Sequence, residues 1–280
     1  MDSKGTLGLS ILYAPSLPII DLVFVHGLGG GSRKTWSKSG LPADYWPQWL
    51  SKDPAFKNVR VHSFGYNSDW TKGKDNCLDI HHFAKSLIGE LRTSPYITND
   101  HTQIVFVGHS MGGLVIKKAY ILARQDTSHL DLAKRFHSIY FLATPHRGSD
   151  SAKLLNNILQ VTYSSRAYVT DVKRGSKALQ SINSEFRKYA SDLELWSFYE
   201  TEKMSLGVFN VLIVDPDSAT LGYPDERQIP MNADHRSICK FTSPTDANYL
   251  IVRNALATTA DGICRLGMSQ GNFTNDTTNN

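Results

Sequence analysis

Short apolar runs bounded by Gly, Pro, Asp or Asn alternate along the chain with stretches in which apolar residues recur every three to four positions. The runs Leu22–Val25, Val59–Tyr66, Ile104–Val107, Ser138–Ala143, Leu193–Tyr199 and Asn210–Val214 are rich in β-branched and aromatic residues, and each predicts a strand. Between them, Ile80, Phe83, Ala84, Leu87, Ile88 and Leu91 share one face of a helix whose opposite face carries His81, His82 and Lys85. Met111–Arg124, Ser151–Gln160, Lys177–Tyr189 and Thr245–Leu256 predict further helices, the last opened by Ser243-Pro244. Strands that alternate with helices in this way predict an α/β fold, a mostly parallel sheet with helices on both faces. After Leu256 the pattern fades into polar residues and ends GNFTNDTTNN, too little apolar surface to offset the entropy of ordering. The expected organisation is one domain over residues 1–258 and a flexible polar tail or linker over 259–280, with the sequons at Asn272 and Asn275 exposed in it.

Composition narrows the function classes. With 280 residues, 41% hydrophobic and 20% charged, the chain has material for a packed core and is neither disordered nor a disulfide scaffold. The net charge of +4 comes from scattered residues (Arg33, Lys34, Lys117, Lys118, Arg135, Lys203), with no tract to follow a phosphate backbone, so nucleic acid is not an expected partner. Cys77, Cys239 and Cys264 are odd in number and far apart, which fits a reducing compartment. The start MDSKGTLGLSILYAP lacks a signal-peptide core, and apolar runs such as Ile19–Val25 fall short of the ~20 residues of a bilayer span, so a soluble, cytoplasmic protein is expected.

The strongest chemical signal is Gly108-His109-Ser110-Met111-Gly112, between the strand QIVFV and the helical run LVIKKAYILAR. A strand–turn–helix setting is what a G-x-S-x-G motif requires: the sharp turn exposes the serine oxygen, and the flanking glycines leave room for it. Met111, at a helix N-terminus, offers its N–H to a developing oxyanion. The glycine-rich turn His26-Gly27-Leu28-Gly29-Gly30-Gly31 follows an earlier buried strand and makes Leu28 the candidate second donor. It lacks a P-loop lysine and the G-x-G-x-x-G spacing, against a nucleotide-phosphate reading. His26, just before the turn, is expected to fix the loop by hydrogen bonding.

In this layout the order along the chain is serine, acid, histidine. His62, His81, His82, His101 and His109 precede Ser110; His235, in the loop Asn232-Ala233-Asp234-His235-Arg236 after the final expected strand, is the candidate base. His146, in Thr144-Pro145-His146-Arg147, is its rival, with the competing reading that its imidazole and the Arg147 guanidinium tie down the loop beside the serine. Two carboxylates end strands, Glu200 and Asp215. Glu200 is favoured because its strand is two after the nucleophile strand; Asp215, in Asp215-Pro216-Asp217-Ser218, has a turn sequence, and both stay open. The segment Ser149–Lys188 is long for a connection and mixes Leu154, Leu155, Ile158, Leu159, Val161, Tyr163 and Tyr168 with Arg166, Lys173 and Arg174. It is expected either to cap the pocket, favouring an acyl chain beside an anionic head group, or to pack as helix on the sheet.

The blocks VFVHGLGGGSRKTW, GHSMGGLVIKKA, FLATPHRGS, FYET and SATLGYPDERQIPMNADHRSICKF, from about Val23 to Phe241, resemble the α/β-hydrolase family of serine-active-site-containing lipase-like proteins. The version they resemble stands at the N-terminus of many fungal NOD-like receptors, with GPI inositol deacylases and phospholipid-remodelling esterases more distant. The resemblance implies a Ser–acid–His hydrolase of lipid-like esters, carried onto Ser110, Glu200 and His235. Two-step acyl transfer by these groups on a lipid or small ester requires no metal and no organic cofactor. Peripheral membrane contact is a further candidate, and the receptor relatives, in which a linker leads from the hydrolase to a nucleotide-binding module, make such a module a candidate partner in a longer chain. The alternative function is a signalling or interaction module that keeps the fold and works by binding.

Overall fold

The computed structural model describes residues 4–68, 80–98, 101–147, 154, 156–160, 169–206 and 209–275. Seven strands form one sheet: β1 (Gly8–Tyr13), β2 (Ile20–Val25), β3 (Val59–Gly65), β4 (Gln103–His109), β5 (Phe136–Leu142), β6 (Glu194–Glu200) and β9 (Arg227–Met231). Their order is β1-β3-β2-β4-β5-β6-β9, and every pairing is parallel except β1 with β3. β7 (Met204–Leu206) and β8 (Phe209–Val211) make a separate hairpin. The helices are α1 (Ile80–Thr93), α2 (Met111–Gln125), α3 (Leu130–Lys134), α4 (Val169–Phe186), α5 (Pro216–Ala219) and α6 (Ala247–Asn275).

All six residues of β2 are buried because the sheet is covered twice. The two-residue period of a strand sends Val23 and Val25 to one face and Leu22 and Phe24 to the other. The first face packs under α1, α2 and α4 through Leu87, Leu114 and Ile182. The second packs against Trp36, Trp46 and Phe56 of the 3₁₀ segments following β2 and against Tyr249, Val252 and Leu256 of α6. The sheet therefore presents its C-terminal edge, where β2, β4, β5 and β6 all end, as one rim.

The expected α/β class is what the chain adopts, with five differences in detail. β1 was not expected; it is a half-buried antiparallel edge strand with no strong apolar alternation. The apolar run Asn210–Val214 is not a strand of the sheet: Ile213 and Val214 are core residues, yet the Val214 N–H turns to the Glu200 carboxylate instead of a ladder partner. The last strand is β9, whose sequence RQIPM carries a charge and a proline because it lies on the sheet edge. α4 begins at Val169, eight residues before the expected Lys177, and ends at Phe186. Finally, the helix expected to stop near Leu256 continues to Asn275, through both sequon asparagines. Thr259, Ala260 and Ile263 are buried beyond the expected boundary at 258, and the Thr259 hydroxyl bonds the Glu194 carboxylate at 3.0 Å.

In the Ser149–Lys188 connection, Leu154, Ile158, Leu179 and Ile182 belong to the core under the sheet and Leu159 is buried as well, so these parts pack as helix on the sheet. Leu155, Val161, Tyr163, Arg166 and Tyr168 lie outside the described residues. Among the described residues, no helix is long and apolar enough to cross a membrane.

Candidate active site

The apolar ladder of β4 delivers the chain to Ser110 and α2 leaves from Met111, so one residue must reverse the direction. Ser110 does so at φ 52°, ψ −123°, a conformation that costs a non-glycine residue about 1–3 kcal/mol and persists only where its surroundings enforce it. Those surroundings are the Leu142 carbonyl, which accepts the Ser110 N–H at 2.9 Å, and the close approach of strand and helix. A Cβ at Gly112 would stand 2.2 Å from the Val25 carbonyl oxygen, and one at Gly108 2.8 Å from the Gly113 nitrogen. The two glycines of the motif are therefore contact points between the turn and its neighbours.

His235 reaches this turn from the loop after β9. Asp234 braces the loop, accepting the backbone N–H groups of Arg236 (2.9 Å) and Ser237 (2.7 Å). The imidazole Nε2 lies 3.0 Å from Ser110 Oγ, and Nδ1 lies 3.4 Å from Glu200 Oε1. The second distance exceeds that of a made N–H···O bond, as apo sites commonly show before substrate tightens them. Ser110, His235 and Glu200 are 2%, 3% and 0% exposed, so the three interact with little solvent screening. Glu200 ends β6, two strands beyond β4, and its Oε1 accepts the Val214 N–H while Oε2 has no hydrogen-bond partner among the described residues.

The oxyanion candidates flank the serine. Met111 is the first residue of α2, where helix N–H groups have no intrahelical acceptor. In the glycine turn, the Gly29 N–H goes to Ser68 O and the Gly30 N–H to Gly27 O, while the Leu28 N–H has no partner among the described residues. His26 fixes this turn, as expected: Nδ1–H donates to Gly27 O at 2.8 Å and Nε2 accepts the Tyr66 N–H at 3.1 Å. Burial drives its pKa down to about 4, so the ring stays neutral.

The rival residues are engaged elsewhere. His146 Nδ1 accepts from Lys117 Nζ at 2.5 Å, and Lys117 also bonds Asn183 Oδ1 at 2.8 Å. Burial pushes both groups well below their usual pKa ranges. Arg147 bonds the Thr220 carbonyl at 2.8 Å and its hydroxyl at 3.0 Å, so this turn is tied down as the competing reading held. Asp215 caps α5, accepting the Ser218 N–H at 3.0 Å. Sequence reasoning missed His109, set aside because it precedes the serine. Its Nε2–H donates to the His235 carbonyl at 2.8 Å, which anchors the His235 loop to the strand that precedes Ser110. Burial holds His109 down to a pKa of about 3, so it is a neutral donor. Among the described residues, no group of three or more His, Cys, Asp or Glu side chains is placed to hold a metal ion.

Residues 21–179 match the family described as "Putative serine esterase (DUF676)". Protein SERAC1 of Bos taurus is 31% identical over 257 residues, 84% of this chain and 38% of that protein. Protein SERAC1 of Danio rerio is 31% identical over 242 residues, 79% of this chain and 36% of that protein. This chain thus spans well under half the length of these relatives. Among solved structures, an esterase from Pyrobaculum calidifontis superposes with TM-score 0.54 at 14% identity over 91% of this chain and 78% of its own. A carboxylesterase structure from Nitrososphaera gargenis gives 0.51 at 12% identity over 91% and 94%. These two likenesses establish the α/β-hydrolase fold.

Proposed function

Because the chain belongs to the DUF676 serine esterase family, we propose that it hydrolyses carboxylic esters, lipid-like ones foremost, by two-step acyl transfer. One observation carries this reading: His235 Nε2 stands 3.0 Å from the oxygen of a serine held in a strained turn. In the first step Ser110 Oγ attacks the ester carbonyl and His235 takes the hydroxyl proton. The C–O bond to the alcohol then breaks, and His235 returns a proton to that oxygen. Water attacks the acyl-Ser110 ester in the second step, again through His235, and releases the carboxylic acid. Glu200 orients the imidazole and stabilises its cationic form. The Leu28 and Met111 N–H groups hold the oxyanion of each tetrahedral intermediate, each contributing on the order of 3 kcal/mol. A role by binding alone would leave the strain at Ser110 without a use. In keeping with the family resemblance, the domain serves in the cytoplasm as the N-terminal hydrolase of an immune-receptor type chain, with the residues past Ile263 leading toward a nucleotide-binding module.

Ser110→Ala and His235→Ala should each lower ester hydrolysis by about 10⁶ while leaving the fold intact, as removal of either member does in serine hydrolases of this kind. A fluorophosphonate probe should modify Ser110. Retained activity in Ser110→Ala, or labelling of another serine, would sink the mechanism.

A further inference from the structure

Beside the candidate active site lies a surface that the chemistry does not use. After the glycine turn, residues 33–45 carry Arg33, Lys34 and Lys38 against Asp44 alone; in the His235 loop, residues 234–240 carry Arg236 and Lys240 against Asp234 alone. Structure joins the two segments side by side. Lys240 Nζ donates to the Lys34 carbonyl at 3.0 Å, the Cys239 thiol to the Thr35 carbonyl at 3.3 Å and the Trp46 indole N–H to the Cys239 carbonyl at 3.0 Å. Five cations thus meet two carboxylates, and both carboxylates are engaged locally. Asp234 binds its own loop, and Asp44 accepts the Ser39 N–H at 3.2 Å. Crowding of like charge shows in Lys240, whose pKa is lowered by burial and then by Lys34, Lys38 and Arg236.

The first of these segments also projects an apolar tip. The chain from Ser37 to Tyr45 doubles back on itself through a bridge between those two residues, with Gly40 at φ 84° in the turn. The Gly40 N–H bonds Ser37 Oγ at 3.0 Å, the Asp44 N–H bonds Leu41 O at 3.2 Å, and the Trp49 indole bonds Ala43 O at 2.7 Å. So braced, the loop holds Leu41 out at 61% exposure, with Pro42 and Ala43 beside it and Lys38 three residues before it. A leucine held exposed on a rigid loop loses little entropy when it is buried, and the lysines of the same two segments, close enough to act on one another, meet negative charge as it enters.

We infer that the Lys34–Lys38–Leu41–Lys240 face is a docking surface for an anionic lipid bilayer. It lies on the two connections, from β2 to β3 and after β9, that also carry Leu28 and His235. The apolar tip selects a bilayer over a soluble polyanion, which offers nothing to bury a leucine. Each cation near an anionic surface changes affinity by about fivefold, and the attraction weakens with salt.

Sedimentation with vesicles tests this on the Ser110→Ala protein, so that binding is read without hydrolysis. Vesicles of phosphatidylcholine containing 30% phosphatidylglycerol should bind it, and pure phosphatidylcholine should not. Lys34→Glu with Lys38→Glu should weaken binding by about 25-fold or more. Leu41→Ser should reduce the binding that survives at high salt. The same substitutions in the Ser110 protein should leave hydrolysis of a short soluble ester unchanged, which shows that the variants are folded. Equal binding to both vesicle types, or binding unaffected by the paired charge reversal, overturns the proposal. Binding to heparin or RNA with no vesicle binding also overturns it and reassigns the face. None of these outcomes depends on the identity of the ester.

Discussion

The two ends of the parallel sheet treat a buried carboxylate in opposite ways. At the N-terminal end, Asp21 of β2 is fully buried and surrounded by donors. Arg60 binds both of its oxygens at 2.6 and 3.0 Å, His62 lies at 2.7 Å, the Thr102 hydroxyl donates to Oδ2, and Arg135 stands at 3.7 Å. At the C-terminal end, Glu200 is equally buried but among the described residues has one backbone donor, an imidazole at 3.4 Å and an oxygen with no partner. Both positions place an ionisable group where water does not reach. The difference lies in completeness. A carboxylate whose lone pairs are all satisfied has no capacity left and serves as a structural hub. One left partly unsatisfied retains the capacity to respond when charge appears on its neighbour.

The comparison breaks most visibly at the upper end. Glu200→Gln should lower kcat by roughly 10⁴, because it keeps the shape of the side chain and removes the charge that stabilises the imidazolium. Stability should change little. Steady-state kinetics beside a denaturation curve would check both; a strong loss of stability with kcat intact would make Glu200 a hub like Asp21.

At the lower end the signs reverse. Asp21→Ala leaves Arg60 and His62 buried without their partner and should cost about 3–5 kcal/mol of stability, with activity per folded molecule unchanged. Burial works to raise the Asp21 pKa, but hydrogen bonds from His62 and Arg60 prevail and lower it from 3.8 to about 2. A depressed carboxylate stabilises the fold above its unfolded pKa, so this contribution, about 2 kcal/mol, should be present above pH 4 and lost as the pH falls toward 2. Urea melts at stepped pH, on the native chain and on Asp21→Ala, should show a steeper acid-side slope in the former, the remainder coming from other depressed carboxylates such as Asp53 and Asp246.

The smallest effect sharpens the choice between the two upper carboxylates. Asp215→Asn should cost about 1 kcal/mol or less, since asparagine caps a helix nearly as well as aspartate, and should leave kcat within a factor of about two. A fall in kcat comparable to that of Glu200→Gln would move the acid to Asp215.

Some of this was legible from residues alone. Ser110 could be placed because the turn is dictated locally: a strand, a glycine on each side and a helix leave few conformations. The position of Glu200 followed from strand counting, which held because β4, β5 and β6 are apolar enough to read. His235 was selected for lying after the final strand, although that strand is β9 and not the expected Asn210–Val214. β9 escaped because an edge strand has one neighbour and little need for apolar residues. Val214 misled because a buried apolar residue can give its N–H to a side chain. His109 was invisible since its partner, the His235 carbonyl, is 126 residues away and is a backbone group that no side-chain pattern encodes. The helical extension past Leu256 buries Thr259, Ala260 and Ile263, and the polar Thr259 gives no sign of this in the sequence because its partners, Tyr140 and Glu194, lie far along the chain.

The bond from the Trp46 indole to the Cys239 carbonyl ties the first part of the chain to the loop that holds His235. Its consequence appears on the ribosome. Ser110 emerges 125 residues before His235, an interval on the order of ten seconds at typical elongation rates. Through that interval Ser110 stands without the imidazole that faces it in the folded chain, and Trp46 without the segment that covers it. The candidate site is therefore assembled only when a late loop closes over an early tryptophan, so its two halves meet with the completion of folding and not before it.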